Sequence, residues 1–169
     1  SFIIIALILM FIKMVLGFRA MFEHGIDKAT SPSIWIIIPI LTLVGITIIR
    51  DSHGLHDFGL QTTNSFYLIV TIIIFAIQVF FGVLGYSIMK QNGYFDDYID
   101  GDEKNPGSYA LICPGVALVV FGFFFVHLGL VKNGIIDKYS LVYYMVLVPI
   151  ILVQIKTIIV LFKLNKKLI

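Results

Sequence analysis

Residues 107–131, GSYALICPGVALVVFGFFFVHLGLV, are long enough to cross a bilayer as one helix. Roughly 20 apolar residues rising about 1.5 Å each match a hydrocarbon core of about 30 Å. Pro114 interrupts the run. A proline inside a helix has no backbone donor and pushes away the carbonyl four residues earlier, here that of Ala110, so the sequence predicts a kink with a freed acceptor. Freed backbone groups at membrane depth are tolerated against protein or a water-filled cavity. The break, with the chain's single cysteine, Cys113, beside it, is therefore expected to line an interior path. Ser108, Gly115, Gly122 and Gly129 recur at intervals of seven, which predicts a seam along which another helix approaches closely. Phe121, Phe123, Phe124 and Phe125 crowd around that seam and are read mainly as filling.

Outward from this stretch the chain keeps the same character. Hydrophobic residues make up 59% and charged residues 13%, about half the charge of a soluble domain, so the class is all-α integral membrane protein. The net charge of +2 offers no basic face for nucleic acid, and one cysteine excludes an internal disulfide or a cysteine-rich metal site. Five membrane helices are predicted, over about 2–22, 32–50, 65–89, 108–131 and 139–162, in a single transmembrane unit covering 1–169. The second is expected to start at Pro32 behind Ser31 as cap and to kink at Pro39. The third carries Gln78 as a buried amide, and the fifth carries Pro149. Asn92-Gly93 and Asn105-Pro106-Gly107 supply turn chemistry around an acidic loop holding Asp96, Asp97, Asp100, Asp102 and Glu103. The chain opens without methionine, cleavage site or basic leader and reads as a fragment lacking an N-terminal half.

Lysine and arginine orient the chain. Arg19, Lys28, Lys90, Lys104, Lys163, Lys166 and Lys167 gather at one side, against Arg50, Lys132 and Lys138 at the other. The positive-inside rule then puts the C-terminus and the acidic loop in the cytoplasm. Lys13 and Lys156 lie within hydrophobic segments, where an ionisable residue either snorkels or attracts an anion. His53, His56 and Asp57, preceded by Asp51, have donor atoms for a metal but read mainly as a solvated loop. His127, deep in the fourth segment, is read mainly as packing, with haem ligation or proton transfer as alternatives. Cys113 is either an inert small residue or an accessible redox thiol. No nucleophile-base triad, P-loop or dinucleotide fingerprint is present, so an enzyme is not the favoured reading; no cofactor is called for, haem apart.

The runs MFEHGIDKATSPSIWIIIPILTLVGI, KQNGYF and GSYALICPGVALVVFGFFFVHLGLVKNGIIDK resemble the C-terminal half of the TsoY family of bacterial membrane (seleno)proteins, over nearly the whole chain. The resemblance implies a bacterial inner-membrane location and makes Cys113 the counterpart of selenocysteine in some members. More distantly, a proline-broken helix near the end of a hairpin-built protein is similar to TehA-like transporters and plant slow anion channels. That likeness implies the last five of ten helices around a central pore, with a phenylalanine gate on the helix matching 108–131. Cys113 falls next to or in place of that phenylalanine, and Phe121 or Phe124 is the substitute gate. The expected activity is a channel or transporter for a small inorganic anion. Pro39, Cys113, Pro114, Gly115, Phe121 and Phe124 line the route, with Lys13 and Lys156 attracting charge. The alternatives are a membrane redox protein acting through Cys113 and a cofactor-anchoring respiratory subunit using His127. The implied partners are the lipid bilayer, the missing half of the same chain and further copies in a homo-oligomer.

Overall fold

The computed structural model describes residues 4, 5, 8, 9, 11–13, 15–17, 19, 27–56 and 63–168, the side chains of 55 and 56 excepted. Among them every regular element is helical. Four helical spans are long and apolar enough to cross a membrane: Lys28–Gly54, Asn64–Gln91, Pro106–Val131 and Leu141–Leu168. The segment predicted over 2–22 falls largely outside the described residues; those described within it are helical, Lys13 among them on an exposed face.

The first span begins as a 3-10 helix, Lys28–Ile36, and continues as α1, Ile37–His56. The second is α2, Asn64–Gln91. The third begins as a 3-10 helix, Pro106–Leu111, continues as α3, Ile112–Phe124, and ends in a π turn, Phe125–Val131. The fourth is α4, Leu141–Leu168. The acidic loop between the second and third spans winds into another π turn, Phe95–Asp100.

Two expectations about helix starts are corrected. Pro39 and Pro114 do not kink long α-helices at mid-run. Each is the third residue of its α-helix, directly after a 3-10 lead-in. The donor each proline lacks is thus missing at a junction between 3-10 and α pitch and not in the middle of an α-helix. Ser31 is not the cap of the first span either. It is buried inside the 3-10 lead-in, where its hydroxyl donates back to the Lys28 carbonyl at 2.7 Å.

The predicted turns form as their residue types require. Gly93 takes a φ of 68°, a left-handed conformation that glycine adopts without a Cβ penalty. The Asn105 side chain accepts from the Gly107 amide at 2.9 Å and so caps the third span, with Pro106 in the first turn.

The third span is the hub of the bundle: the first, second and fourth spans all pack on it. Its seam explains how. A Cβ on Gly115 would press on Thr157, and one on Gly122 would press on Ile150, both in α4. Gly129 instead abuts Thr71 of α2. Each residue displaced from α pitch rotates the downstream side chains by roughly 100°, so the π turn re-aims the last member of the seam at a different neighbour. Outward, α2 and α4 are apolar over Ile69, Ile73, Phe80, Val83, Leu141, Met145, Leu152 and Phe162, all exposed, as expected of surfaces that meet hydrocarbon.

Candidate intramembrane grooves

The two 3-10 lead-ins lie side by side and enclose a groove of about 470 Å³. Pro39, Ala110, Cys113 and Pro114 line it, with the hydroxyl-bearing Thr30 and Ser33. Three residues expected to share a path, Pro39, Cys113 and Pro114, thus come together on one face. The thiol of Cys113 is free and exposed. Ala110, whose carbonyl loses its α-helical donor to Pro114, borders the same space. No lysine, arginine or histidine is among the described lining residues.

The other expected lining residues sit elsewhere. Gly115 faces Thr157 as part of the packing seam. Phe121 is fully buried with Ile49, Tyr67 and Ile74, its ring held against Gly45. Phe124 is half-buried and stacks on Phe121 at 6.3 Å.

A polar knot joins the first, second and third spans within their apolar stretches. Gln78 Nε2 donates to Thr42 Oγ1 at 2.8 Å and to the Ile38 carbonyl at 3.1 Å. Thr42 Oγ1 in turn shares its proton between the Ile38 and Ala117 carbonyls, both at 3.1 Å. Gln78 is fully buried, and its Oε1 has no hydrogen-bond partner among the described residues. Side-chain hydrogen bonds between membrane helices compensate groups that lipid cannot satisfy.

A second, larger cleft of about 770 Å³ opens between α2 and α4, floored by α3. Trp35, Phe75, Gly82, Tyr86, Leu118 and Pro149 are among its walls, and Lys156 is the one described cation that lines it. Lys156 is exposed, two turns before Lys163 on α4. Pro114 borders both the groove and the cleft.

The histidines separate. His127 has both ring nitrogens engaged: Nδ1 lies 2.9 Å from the Phe123 carbonyl and Nε2 3.2 Å from the Tyr143 hydroxyl. A carbonyl only accepts, so Nδ1 carries a proton, and in the neutral ring Nε2 then accepts from Tyr143. That satisfied pair fits a packing role; an iron at Nε2 would have to displace Tyr143. His53 is exposed at the far end of α1 and stacks on Tyr67 at 5.1 Å. The His56 side chain and Asp57 lie outside the described residues, among which no cluster of three metal-ligating side chains occurs.

Sequence reasoning did not foresee the clasp at the opposite end. Lys28 pairs with Asp97, Lys163 with Asp100 at 2.5 Å, and Lys167 donates to the Asp97 and Tyr98 carbonyls at 3.2 and 3.0 Å. Inside this clasp Tyr94 is fully buried, its hydroxyl 2.7 Å from Ser108 Oγ. Burial pushes the Tyr94 phenol above its ordinary value of 10.0; the Ser108 hydrogen bond pulls it partly back, and the neighbouring Tyr98 adds to the rise. The grouping of acidic loop residues with lysines at helix ends was the available signal, but only the fold selects the pairs.

No family model, curated protein or solved structure matches this chain.

Proposed function

We propose that this chain forms part of a bacterial inner-membrane channel or transporter for a small inorganic anion, with the route along the face that carries Pro39, Cys113 and Pro114. One observation carries the reading: two proline-broken spans, far apart in sequence, present their irregular backbone and a free thiol to one groove. Irregular backbone at membrane depth is the material from which transporters build substrate sites. On this reading residues 2–22 supply a fifth span, five further helices complete a pore in the manner of TehA-like proteins, and the C-terminus is cytoplasmic. Phe121 and Phe124 do not line the groove; on this reading they would gate the route further along it. The exposed Ser33 hydroxyl stands as a donor for an anion, while that of Thr30 already donates to the Asp27 carbonyl at 3.1 Å.

The test is chloride and thiosulfate flux into liposomes holding the full-length protein, with Cys113→Ser and Cys113→Phe beside wild type. Flux spared by serine and closed by phenylalanine is the expected result. Flux equal to that of empty liposomes in every version sinks the reading.

The exposure of the Cys113 thiol favours one rival, a redox protein acting on thiols, sulfur species or a quinone through this side chain. Thiol chemistry requires access and a stabilised thiolate; the groove offers the first, and its described lining carries no cation for the second. Maleimide labelling at the rate of an ordinary accessible thiol, with function unchanged in Cys113→Ser, counts against redox chemistry.

A further inference from the structure

We infer that the cleft between α2 and α4 binds a long-chain carboxylate taken from the surrounding lipid, with the carboxylate on Lys156 and the chain directed toward the middle of the membrane. This site is separate from the proline groove and stands whether or not that groove conducts an anion.

The lining sets the ligand's body. Apart from Lys156, the Tyr86 hydroxyl and the Thr157 hydroxyl, which donates to its own helix at the Val153 carbonyl, the described walls are apolar, and Trp35 Nε1 donates to the Gly82 carbonyl at 3.1 Å. A cleft of about 770 Å³ falls within the size range of small-molecule sites, roughly 300–1,000 Å³, which are mostly apolar with few polar groups. It extends along α4 from Val160 to Val146, about 20 Å at 1.5 Å per residue, or somewhat more than one leaflet of hydrocarbon. Because α2 and α4 are held apart by α3, the cleft lies open between them.

Charge sets the head. Lys156 makes no ion pair or hydrogen bond with another described residue. No acidic side chain is among the described residues that line the cleft. An unpaired cation within a membrane span calls for a counter-ion, and here the ligand must bring it.

Depth and surroundings choose between anionic lipids. Lys156 lies about 10 Å inward of Lys163, at 1.5 Å per residue, below the level at which a phospholipid phosphate rides. Lys163 is already paired with Asp100. Asp96, Asp100, Asp102 and Glu103 stand exposed on the loop beside the outer end, and Phe95 covers that end, packed on Tyr86 at 5.3 Å. A bulky phosphate at this mouth meets like charge and an aromatic ring, whereas a compact carboxylate fits beneath them.

Trp35, the chain's single tryptophan, lines the cleft and reports directly on its occupant. The chain is reconstituted in phosphatidylcholine vesicles, and Trp35 fluorescence is quenched with stearate brominated at mid-chain, brominated octadecanol, and phosphatidylcholine or phosphatidylglycerol with brominated chains. The expected result is quenching by stearate at about tenfold lower concentration than by octadecanol, the scale of a charge-assisted contact. The difference should vanish in Lys156→Gln, an exposed position. Gly82→Leu should abolish the stearate advantage by occupying the cleft, since a Cβ there meets only Ile38, at 4.0 Å. Equal quenching by stearate and octadecanol overturns the proposal, as does a stearate preference that survives Lys156→Gln. Phosphatidylglycerol matching stearate means an ordinary anionic phospholipid sits there, and no quenching by any lipid means protein covers the cleft; either result also overturns it.

Discussion

Gln78 and Tyr94 show how differently a buried polar group behaves when its partners are complete and when they are not. Gln78 donates twice and its Oε1 has no partner among the described residues, so truncation removes two interhelical bonds together with an existing deficit. Side-chain bonds of this kind in membranes contribute about 0.6 kcal/mol each on average. Gln78→Ala, which adds a cavity, should destabilise the bundle by about 1–3 kcal/mol. Gln78→Leu, which keeps the volume and carries no orphan oxygen, should come close to neutral; unfolding in mixed micelles measures both. Tyr94 is fully paired, and its consequence is a pH dependence. Its folded pKa is raised, so the native state holds the phenolic proton after the unfolded chain has released it. The stabilisation is present below pH 10.0, the ordinary phenol value, and is lost as the pH climbs from there through the raised folded value. Tyr94→Phe should flatten this alkaline loss, measured as the unfolding midpoint across alkaline pH. Gln78 was legible in the sequence as an amide inside an apolar run. Tyr94 was not, because its burial depends on a loop folding back over the ends of α2 and α4.

At the scale of elements, the small-residue seam of the third span was readable from its sevenfold spacing, but its division between two neighbours was not. Spacing assumes one pitch, and the π turn at Phe125–Val131 breaks that assumption without any proline or glycine pair to announce it. The proline positions were likewise legible while their effect was not, since a 3-10 lead-in converts a mid-run proline into a first-turn one. Gly115 gives the sharpest test of the seam. A Cβ there would overlap Thr157 Oγ1 and lie 3.1 Å from Thr157 Cβ, a conflict with a short, branched side chain that has little room to turn. Gly115→Ala should destabilise by about 1–3 kcal/mol. Combining it with Thr157→Ala should restore most of that loss, measured as a double-mutant cycle in unfolding.

For the whole molecule, composition and hydropathy were sufficient to find four helices long and apolar enough to cross a membrane, while the fifth expected span, over 2–22, falls largely outside the described residues. Lys28, Lys163 and Lys167 all reach the acidic loop, while Lys132 lies over the Tyr67 ring at 4.6 Å at the opposite end. The clasp holds ends together more than it adds stability: the side chains of Lys163 and Asp100 are about half exposed, and pairs of that kind contribute about 0–1 kcal/mol. Asp100→Asn should therefore leave thermal unfolding nearly unchanged. Asp97→Asn, which removes the more buried of the two ion pairs, should lower it modestly and with less dependence on salt.

The position of the third span at the centre also governs how damage spreads. Because α2 and α4 meet chiefly through α3, each leans on the hub without leaning on the other. Energetically the bundle is two hinged leaves on a common spine, the first and second spans forming one leaf and α4 the other. Lesions on separate leaves should then sum: Thr71→Val in α2 and Leu147→Ala in α4, measured alone and together, should agree with simple addition within about 0.3–0.5 kcal/mol. Each should nevertheless couple to changes in the spine.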